Sequence, residues 1–330
     1  MQLLKVRKGY LPMNLCLFFI KVPKKMGYPN LKRSFVLGDE WIYYKFYSGA
    51  QTADRILEES IKPSVNYLLD RSKIDHWFFI RYADPDLHLR VRLHFTKPGS
   101  VGIIVRTIYK YISKFVEQDL IWKVQTDTYQ REIERYGIFT MELSEQLFFL
   151  DSKLFIDLVP YLKNPNGETQ RWHFALKSID YLLDCFQYKT EDKLRLLEGL
   201  KDSFGREFGL NRFLKDQLNN KFAKEWKGIE RSLNSSTDKE SIISPILNHL
   251  NVHKKTVIPL AKEVLKICEE HPDSIHVNEL IGSYIHMMMN RLFRSKQRIH
   301  ELVLYDFLYR YYKSDIARLK AAEKAILENV

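Results

Sequence analysis

Residues 75–95 read DHWFFIRYADPDLHLRVRLHF and decide which fold this chain adopts. Their second half alternates strictly, as expected of a β-strand whose successive side chains point to opposite faces. One face carries Leu87, Leu89, Val91, Leu93 and Phe95, and the other carries His88, Arg90, Arg92 and His94. The first half is also rich in strand-forming residues, and the Ala-Asp-Pro-Asp between the halves is typical of a tight turn. The sequence therefore predicts a hairpin.

The polar face of this strand holds only cationic or titratable side chains. Lys and Glu usually fill a solvated sheet face, so a row of Arg and His favours contact with an anionic partner. The alternative is a face that simply meets water, which is the commoner fate of alternating charges. The two interpretations differ in what lies opposite the row.

The chain has 330 residues, 45% of them hydrophobic, so it can bury a large core as one domain or as two closely packed ones. Its net charge of +11 favours an acidic partner but does not identify it as nucleic acid, membrane or peptide. The cysteines Cys16, Cys185 and Cys268 are far apart, which argues against a paired zinc site or a disulfide framework and predicts a cytoplasmic protein. Walker, dinucleotide and zinc-type histidine motifs are absent from the sequence, so no metal or organic cofactor is predicted.

Strand and helix patterns elsewhere predict an α+β fold: a small antiparallel sheet with the Arg-bearing hairpin, packed against a larger helical portion. The aromatic run EWIYYKFYS at 40–48 is a predicted strand, and Thr52 is the predicted cap of a helix that Pro63 bends or breaks. Helical spacing begins at Ser144 and dominates the rest of the chain. The predicted domain boundaries are an N-terminal extension at 1–36, the main domain at 37–318 and a charged tail at 319–330.

Two later stretches contain candidate functional residues. In DTYQREIERYG, Glu132 and Arg135 are three apart and would lie side by side on a helical turn, where the alternative is an exposed ion pair of little consequence. In SYIHMMMNRLF, His286 and Asn290 are four apart and share a helix face. A histidine in so apolar a helix is usually a satisfied core residue, and the three methionines favour adaptable packing over a cofactor site.

Several motifs in the same order resemble one family. EWIYYKFYSG with FFIRYADPDLHLRVR, DTYQREIERYG with LFFLDS, and SYIHMMMNRLF resemble the C-terminal domain of LanB-type lantibiotic dehydratases, the SpaB-type or thiopeptide-type bacteriocin biosynthesis domain, over residues 37–314. The resemblance implies a lyase that needs no metal or organic cofactor. Its implied reaction removes glutamate from glutamylated Ser or Thr of a precursor peptide and leaves dehydroalanine or dehydrobutyrine.

The resemblance also implies partners. In that family a long N-terminal domain transfers glutamate from glutamyl-tRNA, and here only 40 residues precede Trp41. The chain is therefore expected to be the elimination subunit of a split dehydratase. The expected partners are the ribosomally made precursor peptide, a separate glutamyl-tRNA-dependent subunit and, as a further candidate, a cyclase, with no direct DNA binding and no transmembrane segment.

Two other functions remain open at this point. Free-standing relatives include thiopeptide pyridine synthases, which join two dehydroalanines in a formal 4+2 cycloaddition and release the leader peptide. A noncatalytic scaffold that only holds the precursor peptide is the third interpretation. The retained arginine and histidine set favours elimination over both, because cycloaddition of uncharged groups needs no cluster of arginines and a scaffold needs no base.

The implied chemistry assigns roles by residue. Elimination needs a base at Cα and cations around the departing glutamate, because a carboxylate leaves with little protonation. Arg90 and Arg92 match the family's strand arginines and Arg135 matches the arginine of its E-x-x-R-Y-G segment, so all three are expected to bind glutamate. His286 matches the family's late-helix histidine and is the expected base or proton relay. The remaining expected substrate-binding residues are Glu132, which would orient Arg135, and Tyr136, Arg81, His88 and Asn290; Arg81 has a structural role as its alternative.

Overall fold

The computed structural model describes residues 31–234 and 242–327. Its strands are β1 (Ser34–Phe35), β2 (Trp41–Tyr47), β3 (His76–Ala83), β4 (Leu87–His94), β5 (Lys123–Thr126) and β6 (Tyr129–Gln130). Its α-helices are α1 (Ala50–Ile56), α2 (Lys62–Asp70), α3 (Val101–Glu117), α4 (Ile133–Tyr136), α5 (Met141–Leu158), α6 (Gly167–Cys185), α7 (Thr190–Glu207), α8 (Arg212–Leu233), α9 (Leu247–Glu270), α10 (Val277–Leu292) and α11 (Gln297–Leu327). The predicted α+β class is confirmed.

The described residues divide into two compact units. Residues 31–163 and 255–295 form one, which we call the sheet unit because it holds every described strand. Residues 164–234, 242–254 and 296–327 form the other, the helical unit. All nine residues that the sequence selects for a site lie in the sheet unit.

The main sheet is antiparallel, with strand order β3-β4-β2-β5, and β1 pairs with β6 in a separate ribbon. The predicted hairpin is β3 with β4, and β2 lies on the other side of β4. We call one side of this sheet the arginine face. Its side chains are His88, Arg90, Arg92 and His94 from β4, His76, Phe78, Ile80 and Tyr82 from β3, and Trp41, Tyr43, Lys45 and Tyr47 from β2.

Both sides of the hairpin are buried. Leu93, on the apolar side, is fully buried, but Arg92 and His88 on the arginine face are also only 8% and 4% exposed. The ribbon contributes to this cover, since the ring of Tyr129 in β6 packs 5.1 Å from that of Trp41. The row of Arg and His is therefore not a solvated sheet face, which excludes that alternative.

Helix side chains bond the outer edge of β3. Ser152 of α5 accepts a hydrogen bond from the backbone N–H of Phe79 at 3.1 Å. The Asn290 side chain of α10 accepts from the N–H of Arg81 at 2.8 Å and donates to its carbonyl at 2.9 Å. An edge strand left open is prone to pair with other chains, and here two helices satisfy its backbone groups. These bonds fix α5 and α10 against the hairpin.

We expect Asn290→Ala to lower the free energy of unfolding of the sheet unit by about 2–3 kcal/mol, because it leaves both backbone groups of Arg81 without this partner. Chemical denaturation followed by circular dichroism measures the change. Asn66→Ala is the matched control, since Asn66 is exposed on α2, and should change stability by less than about 0.5 kcal/mol. Equal losses of stability in the two variants would contradict the conclusion that Asn290 stabilises the edge of β3.

The first helix differs from its prediction. Gly49, in an extended conformation, is the N-cap of α1, so the prediction that Thr52 caps it is wrong. Pro63 follows a π-helical segment, Leu57–Ile61, and lies in the first turn of α2. Proline has no N–H to donate and its ring crowds the carbonyl four residues earlier. The wider π-helical turn before Pro63 lets the helix continue into α2 without a break.

Two described elements lie partly or wholly outside the predicted main domain at 37–318. Within the predicted extension, β1 pairs with β6 and so belongs to the fold. At the other end, α11 continues through residue 318 to Leu327. Residues 1–30, which include Cys16, and most of the predicted flexible connection at 232–239 lie outside the described residues.

The helical unit packs α6, α7, α8 and α11 around aromatic side chains. The ring of Phe307 on α11 lies 5.6 Å from Trp172 of α6 and 5.2 Å from Phe222 of α8. His173 of α6 is buried, and its Nδ1 lies 2.9 Å from the hydroxyl oxygen of Ser232. Across the described part of the chain, none of the helices combines the length and apolar content needed to cross a bilayer.

His173 should make the helical unit sensitive to acid. Burial lowers the pKa of His173 to about 4, from an ordinary value of 6.5. Below pH 6.5 the unfolded chain takes up this proton while the folded chain does not, so stability falls as pH drops towards 4. The expected contribution is about 2 kcal/mol of unfolding free energy between pH 7 and pH 5.

Urea unfolding of His173→Gln at the two pH values measures this contribution. The difference between pH 7 and pH 5 should shrink by that amount. It should not vanish, because burial also lowers the pKa of His76 and of His300 to about 4. His276→Gln, at an exposed histidine, should leave the pH dependence unchanged. An unchanged dependence in His173→Gln would contradict the assignment.

Candidate functional site

Arg92 lies in an aromatic cage on the arginine face. Its guanidinium carbon lies 4.4 Å from the ring centre of Tyr43, 4.9 Å from Tyr129 and 5.1 Å from Phe78. Such contacts with ring faces attract a cation but do not neutralise it. Among the described residues no carboxylate pairs with Arg92, and its buried Nε has no hydrogen-bond partner. Arg92 is thus a buried cation that lacks a counter-ion within the described chain.

Arg90 is positioned by its neighbours on the same face. Its guanidinium stacks 3.3 Å from the ring centre of Tyr82, and its Nε donates to Nε2 of His88 at 3.1 Å. His88 in turn bonds through Nδ1 to the carbonyl of Asp86 at 2.8 Å. Burial lowers the pKa of His88, so the ring is neutral, donates from Nδ1 and accepts at Nε2. His88 therefore orients Arg90.

Arg135 contacts Glu132, as the sequence predicts, and also Ser283, which the sequence does not predict. Its Nη1 lies 3.4 Å from an exposed carboxylate oxygen of Glu132, and its Nε donates to the hydroxyl of Ser283 on α10 at 3.2 Å. Gly137 follows directly with φ +73°, and a Cβ there would lie 2.9 Å from Thr140 Oγ1. Glycine is the residue that this turn accepts. The predicted Glu132–Arg135 pair is confirmed.

Tyr136 is a buried tyrosine in contact with Arg135. Burial raises the pKa of Tyr136 far above its ordinary range, and the guanidiniums of Arg135 and Arg92 oppose that rise. The guanidinium carbon of Arg135 lies 5.7 Å from the centre of the Tyr136 ring. That ring also packs 5.0 Å from Phe148 of α5. The charges of Arg135 and Arg92, which belong to separate motifs, thus both act on this buried phenol.

His286 lies on α10 between the two anchored residues of that helix. Ser283, one turn before it, bonds Arg135, and Asn290, one turn after it, bonds the edge of β3. Side chains three and four apart on a helix share a face, so His286 faces the same side as these two contacts. The imidazole is partly exposed, unlike Tyr284 and Ile285 beside it, so His286 is not a closed core residue.

Arg81 lies apart from the other arginines. In β3 its side chain points away from the arginine face, opposite to Phe78 and Ile80. There it forms an ion pair with buried Asp54 and donates to the carbonyl of Arg291 at 3.0 Å. These contacts support the structural alternative for Arg81. Asn290 likewise bonds the backbone of Arg81, which makes it a positioning residue.

Asp151 and Arg291 form a buried pair that the sequence does not reveal as a site. Arg291 Nη1 lies 3.8 Å from a carboxylate oxygen of Asp151, and its Nε donates to Ser152 at 3.1 Å. Burial raises the pKa of Asp151 to about 7, with Arg291 opposing, and burial lowers that of Arg291 to about 10. The available signal was an aspartate inside the apolar run LFFLDSKLF.

The assembled geometry suits recognition of a carboxylate next to a proton acceptor. Arg92, Arg90 and Arg135 supply three guanidiniums, and a guanidinium fork binds a carboxylate bidentately. Partial burial strengthens such charge contacts relative to water. His286 supplies an imidazole on a helix fixed to both Arg135 and β3. Guanidiniums can bind an anionic group, and a neutral imidazole can accept a proton.

Comparison with families of known proteins places the chain. Residues 41–312 match the model described as lantibiotic biosynthesis dehydratase C-term. The chain belongs to this family of lantibiotic dehydratase C-terminal domains. The family resemblance seen in the motifs is confirmed.

Curated relatives of the lantibiotic dehydratase domain agree. The subtilin biosynthesis protein SpaB of Bacillus subtilis is 24% identical over 281 residues, which cover 84% of this chain and 26% of SpaB. The nisin biosynthesis protein NisB of Lactococcus lactis subsp. lactis is 30% identical over 165 residues, 47% of this chain and 15% of NisB. The chain thus matches about a quarter of SpaB's length and less of NisB's.

Solved structures share the fold of the lantibiotic dehydratase domain. The tRNA-dependent lantibiotic dehydratase MibB from Microbispora sp. 107891 matches with a TM-score of 0.66 at 20% identity, over 86% of this chain and 29% of MibB. TbtD, a pyridine synthase from thiomuracin biosynthesis, matches with a TM-score of 0.60 at 9% identity, over 83% of this chain and 99% of TbtD. At these identities the likeness concerns the fold alone.

Proposed function

We propose that this chain eliminates glutamate from glutamylated Ser or Thr residues of a ribosomally made precursor peptide, leaving dehydroalanine or dehydrobutyrine. It is then a lyase acting in lantibiotic or thiopeptide biosynthesis. Membership of the lantibiotic dehydratase C-terminal family supports this proposal, and the chemistry of the arginine face narrows it to elimination.

The observation that carries the proposal is the buried guanidinium of Arg92 without a carboxylate partner among the described residues. A buried charge is costly unless it is paired, so a site that keeps one is suited to a ligand of opposite charge. The glutamyl group of the substrate supplies a free carboxylate and releases a second one when it leaves. Elimination thus places negative charge next to Arg92.

The reaction divides between the residues as follows. The imidazole of His286 accepts the Cα proton of the modified residue, directly or through a relay. The electron pair left on Cα forms the new double bond to Cβ, and the Cβ–O bond breaks, so glutamate departs as a carboxylate. Arg92 and Arg135 stabilise the charge that develops on the departing group, while Arg90 binds the glutamyl carboxylate. His88 and Glu132 hold Arg90 and Arg135 in place, and Tyr136 lines the same pocket.

The substrate implies the partners. Something must glutamylate the peptide first, so we propose that a glutamyl-tRNA-dependent glutamylating partner supplies this chain's substrate. The product, an electrophilic dehydro residue, suits a cyclase that adds a thiol. A cytoplasmic setting, which the scattered cysteines predict, stays a prediction.

A second candidate is the pyridine synthase reaction, favoured by one observation: the fold match covers 99% of TbtD. Cycloaddition joins two uncharged dehydroalanines and releases the leader peptide. It therefore gives no use to the guanidinium of Arg92, which has no carboxylate partner among the described residues. We therefore rank it second. A noncatalytic scaffold ranks third, because it gives no use to the imidazole of His286 on the helix whose Ser283 bonds Arg135.

Mass spectrometry of a synthetic peptide with a glutamyl ester on Ser or Thr, incubated with this protein alone, tests the proposal. The expected product has lost glutamic acid and gained one double bond. An intact ester would contradict the proposal, and a peptide with two dehydroalanines would then be the next substrate. Its conversion to a macrocycle with released leader would establish the pyridine synthase instead.

A further inference from the structure

The open end of the hairpin, away from the turn, gathers three metal-ligating side chains. His76 at the start of β3 pairs directly with His94 at the end of β4, and Asp75 precedes His76. Nδ1 of His94 lies 2.6 Å from Asp75 Oδ1, and Nδ1 of His76 lies 2.8 Å from the same oxygen. Ligand atoms of all three lie within 4.8 Å of one another. The sequence conceals this cluster, because the histidines are 18 positions apart and only the strand register brings them together.

The surroundings of the cluster fit a bound cation. The two imidazoles are stacked with ring centres 4.4 Å apart, and the Trp41 ring lies 4.9 Å from each. The histidine side chains are 19% and 16% exposed, whereas that of Asp75 is 50% exposed, which leaves an entry path from solvent. No Lys or Arg of the described chain forms an ion pair with Asp75. Its carboxylate is directed only at the two histidines.

We propose that Asp75, His76 and His94 bind a divalent transition-metal ion, with Zn²⁺ as the best match. Two imidazole nitrogens and one carboxylate oxygen form a common three-ligand set for Zn²⁺, with water completing the tetrahedron. A calcium or magnesium site would instead be built from oxygen atoms alone. On binding, the ion replaces the two contacts between Nδ1 and the carboxylate, and each imidazole ligates through Nδ1 as the neutral tautomer with its proton on Nε2.

The geometry requires only a small adjustment. Zn²⁺ takes nitrogen and oxygen ligands at about 2.0–2.1 Å, so tetrahedral ligand atoms lie about 3.3 Å apart. The two Nδ1 atoms must therefore move away from Asp75 Oδ1 by about 0.5–0.7 Å. Asp75 is at the end of a loop and is half exposed, which allows this movement.

The ion would fasten the end of the hairpin beside the arginine face. Trp41 contacts both histidines and also packs 5.5 Å from Phe78 and 5.1 Å from Tyr129, two of the rings around Arg92. Binding would restrain Trp41 and thereby the cage. The role is structural, since the ligands supply no group to the proposed elimination, and it does not depend on that function.

Isothermal titration of the tag-free, metal-stripped protein with ZnCl₂ tests the site. One ion should bind to the wild type, and His94→Ala should weaken binding by about 100-fold or more. Asp75→Asn keeps the size of the side chain and should weaken binding with less risk to folding. His276→Ala, an exposed histidine outside the cluster, is the matched control and should bind as the wild type does.

Two further readouts make the result decisive. Co²⁺ should give the visible absorption of a tetrahedral complex with nitrogen and oxygen ligands in the wild type and in His276→Ala, but not in Asp75→Asn. Zn²⁺ should raise the melting temperature of the wild type and of His276→Ala, but not that of Asp75→Asn. Absence of binding to the wild type would overturn the proposal, as would equal affinity in Asp75→Asn and the wild type.

Discussion

Replacing Arg92 by methionine should lower the rate constant for glutamate elimination by about 10²- to 10³-fold, the usual cost of removing one donor that stabilises a developing anion. The free energy of unfolding, by contrast, should not fall. Arg92 is a buried charge without a carboxylate partner in the described chain, so an apolar side chain of similar volume should leave the free energy of unfolding equal or higher. Quenched-flow mass spectrometry and chemical denaturation measure the two effects.

Two controls separate this role from packing. Arg92→Lys keeps the charge but loses the planar fork, so it should retain more activity than Arg92→Met. Arg71→Met removes an exposed arginine that stacks 3.9 Å over Tyr67 on α2, and it should leave elimination unchanged. A loss of stability in Arg92→Met with unchanged activity would assign Arg92 to the core instead.

Replacing His286 by alanine should lower kcat by about 10²- to 10⁴-fold, which is the range for loss of a general base. KM should change little, because the arginines that bind glutamate remain. The measurement is single-turnover formation of the dehydro residue from a peptide bearing the glutamyl ester. His276→Ala, at an exposed residue preceding the same helix, is the control and should react at the wild-type rate.

An isotope effect distinguishes a base from a residue that only positions others. With deuterium at Cα, the primary kinetic isotope effect should be larger in His286→Ala than in the wild type, because proton removal becomes more strongly rate-limiting. In Asn290→Ala, by contrast, the effect should stay near that of the wild type. An unchanged isotope effect in His286→Ala would remove His286 from the proton-transfer step.

Local patterns in the sequence predicted the hairpin and much of the candidate site. Strict alternation in 87–95 fixed which residues share the arginine face, and the three-residue spacing of Glu132 and Arg135 predicted their ion pair. Both depend on backbone periodicity alone, which short windows reveal. The hairpin register then followed from the short turn.

Contacts between distant segments could not be predicted in this way. Side chains alternate along β3, so Arg81 points to the face opposite that of Arg90. The bond between Asn290 and the edge of β3 depends on how α10 packs, which no local pattern reveals. The motif residues Ser152 and Arg291 prove to be hydrogen-bond partners across 139 positions. Thr52 was a reasonable cap by residue type, but the chain already enters the helix at Gly49. Tertiary packing decides such features.

The most direct test of the central claim compares a glutamyl ester with a glutaminyl ester on the same peptide, in the wild type and in Arg92→Met. If the arginine face binds the carboxylate of glutamate, the neutral amide should lower kcat/KM of the wild type by about 10- to 100-fold, since a charged hydrogen-bonded contact is lost. Arg92→Met should discriminate far less between the two esters. Equal discrimination by both proteins would contradict the claim that Arg92 recognises the glutamyl group.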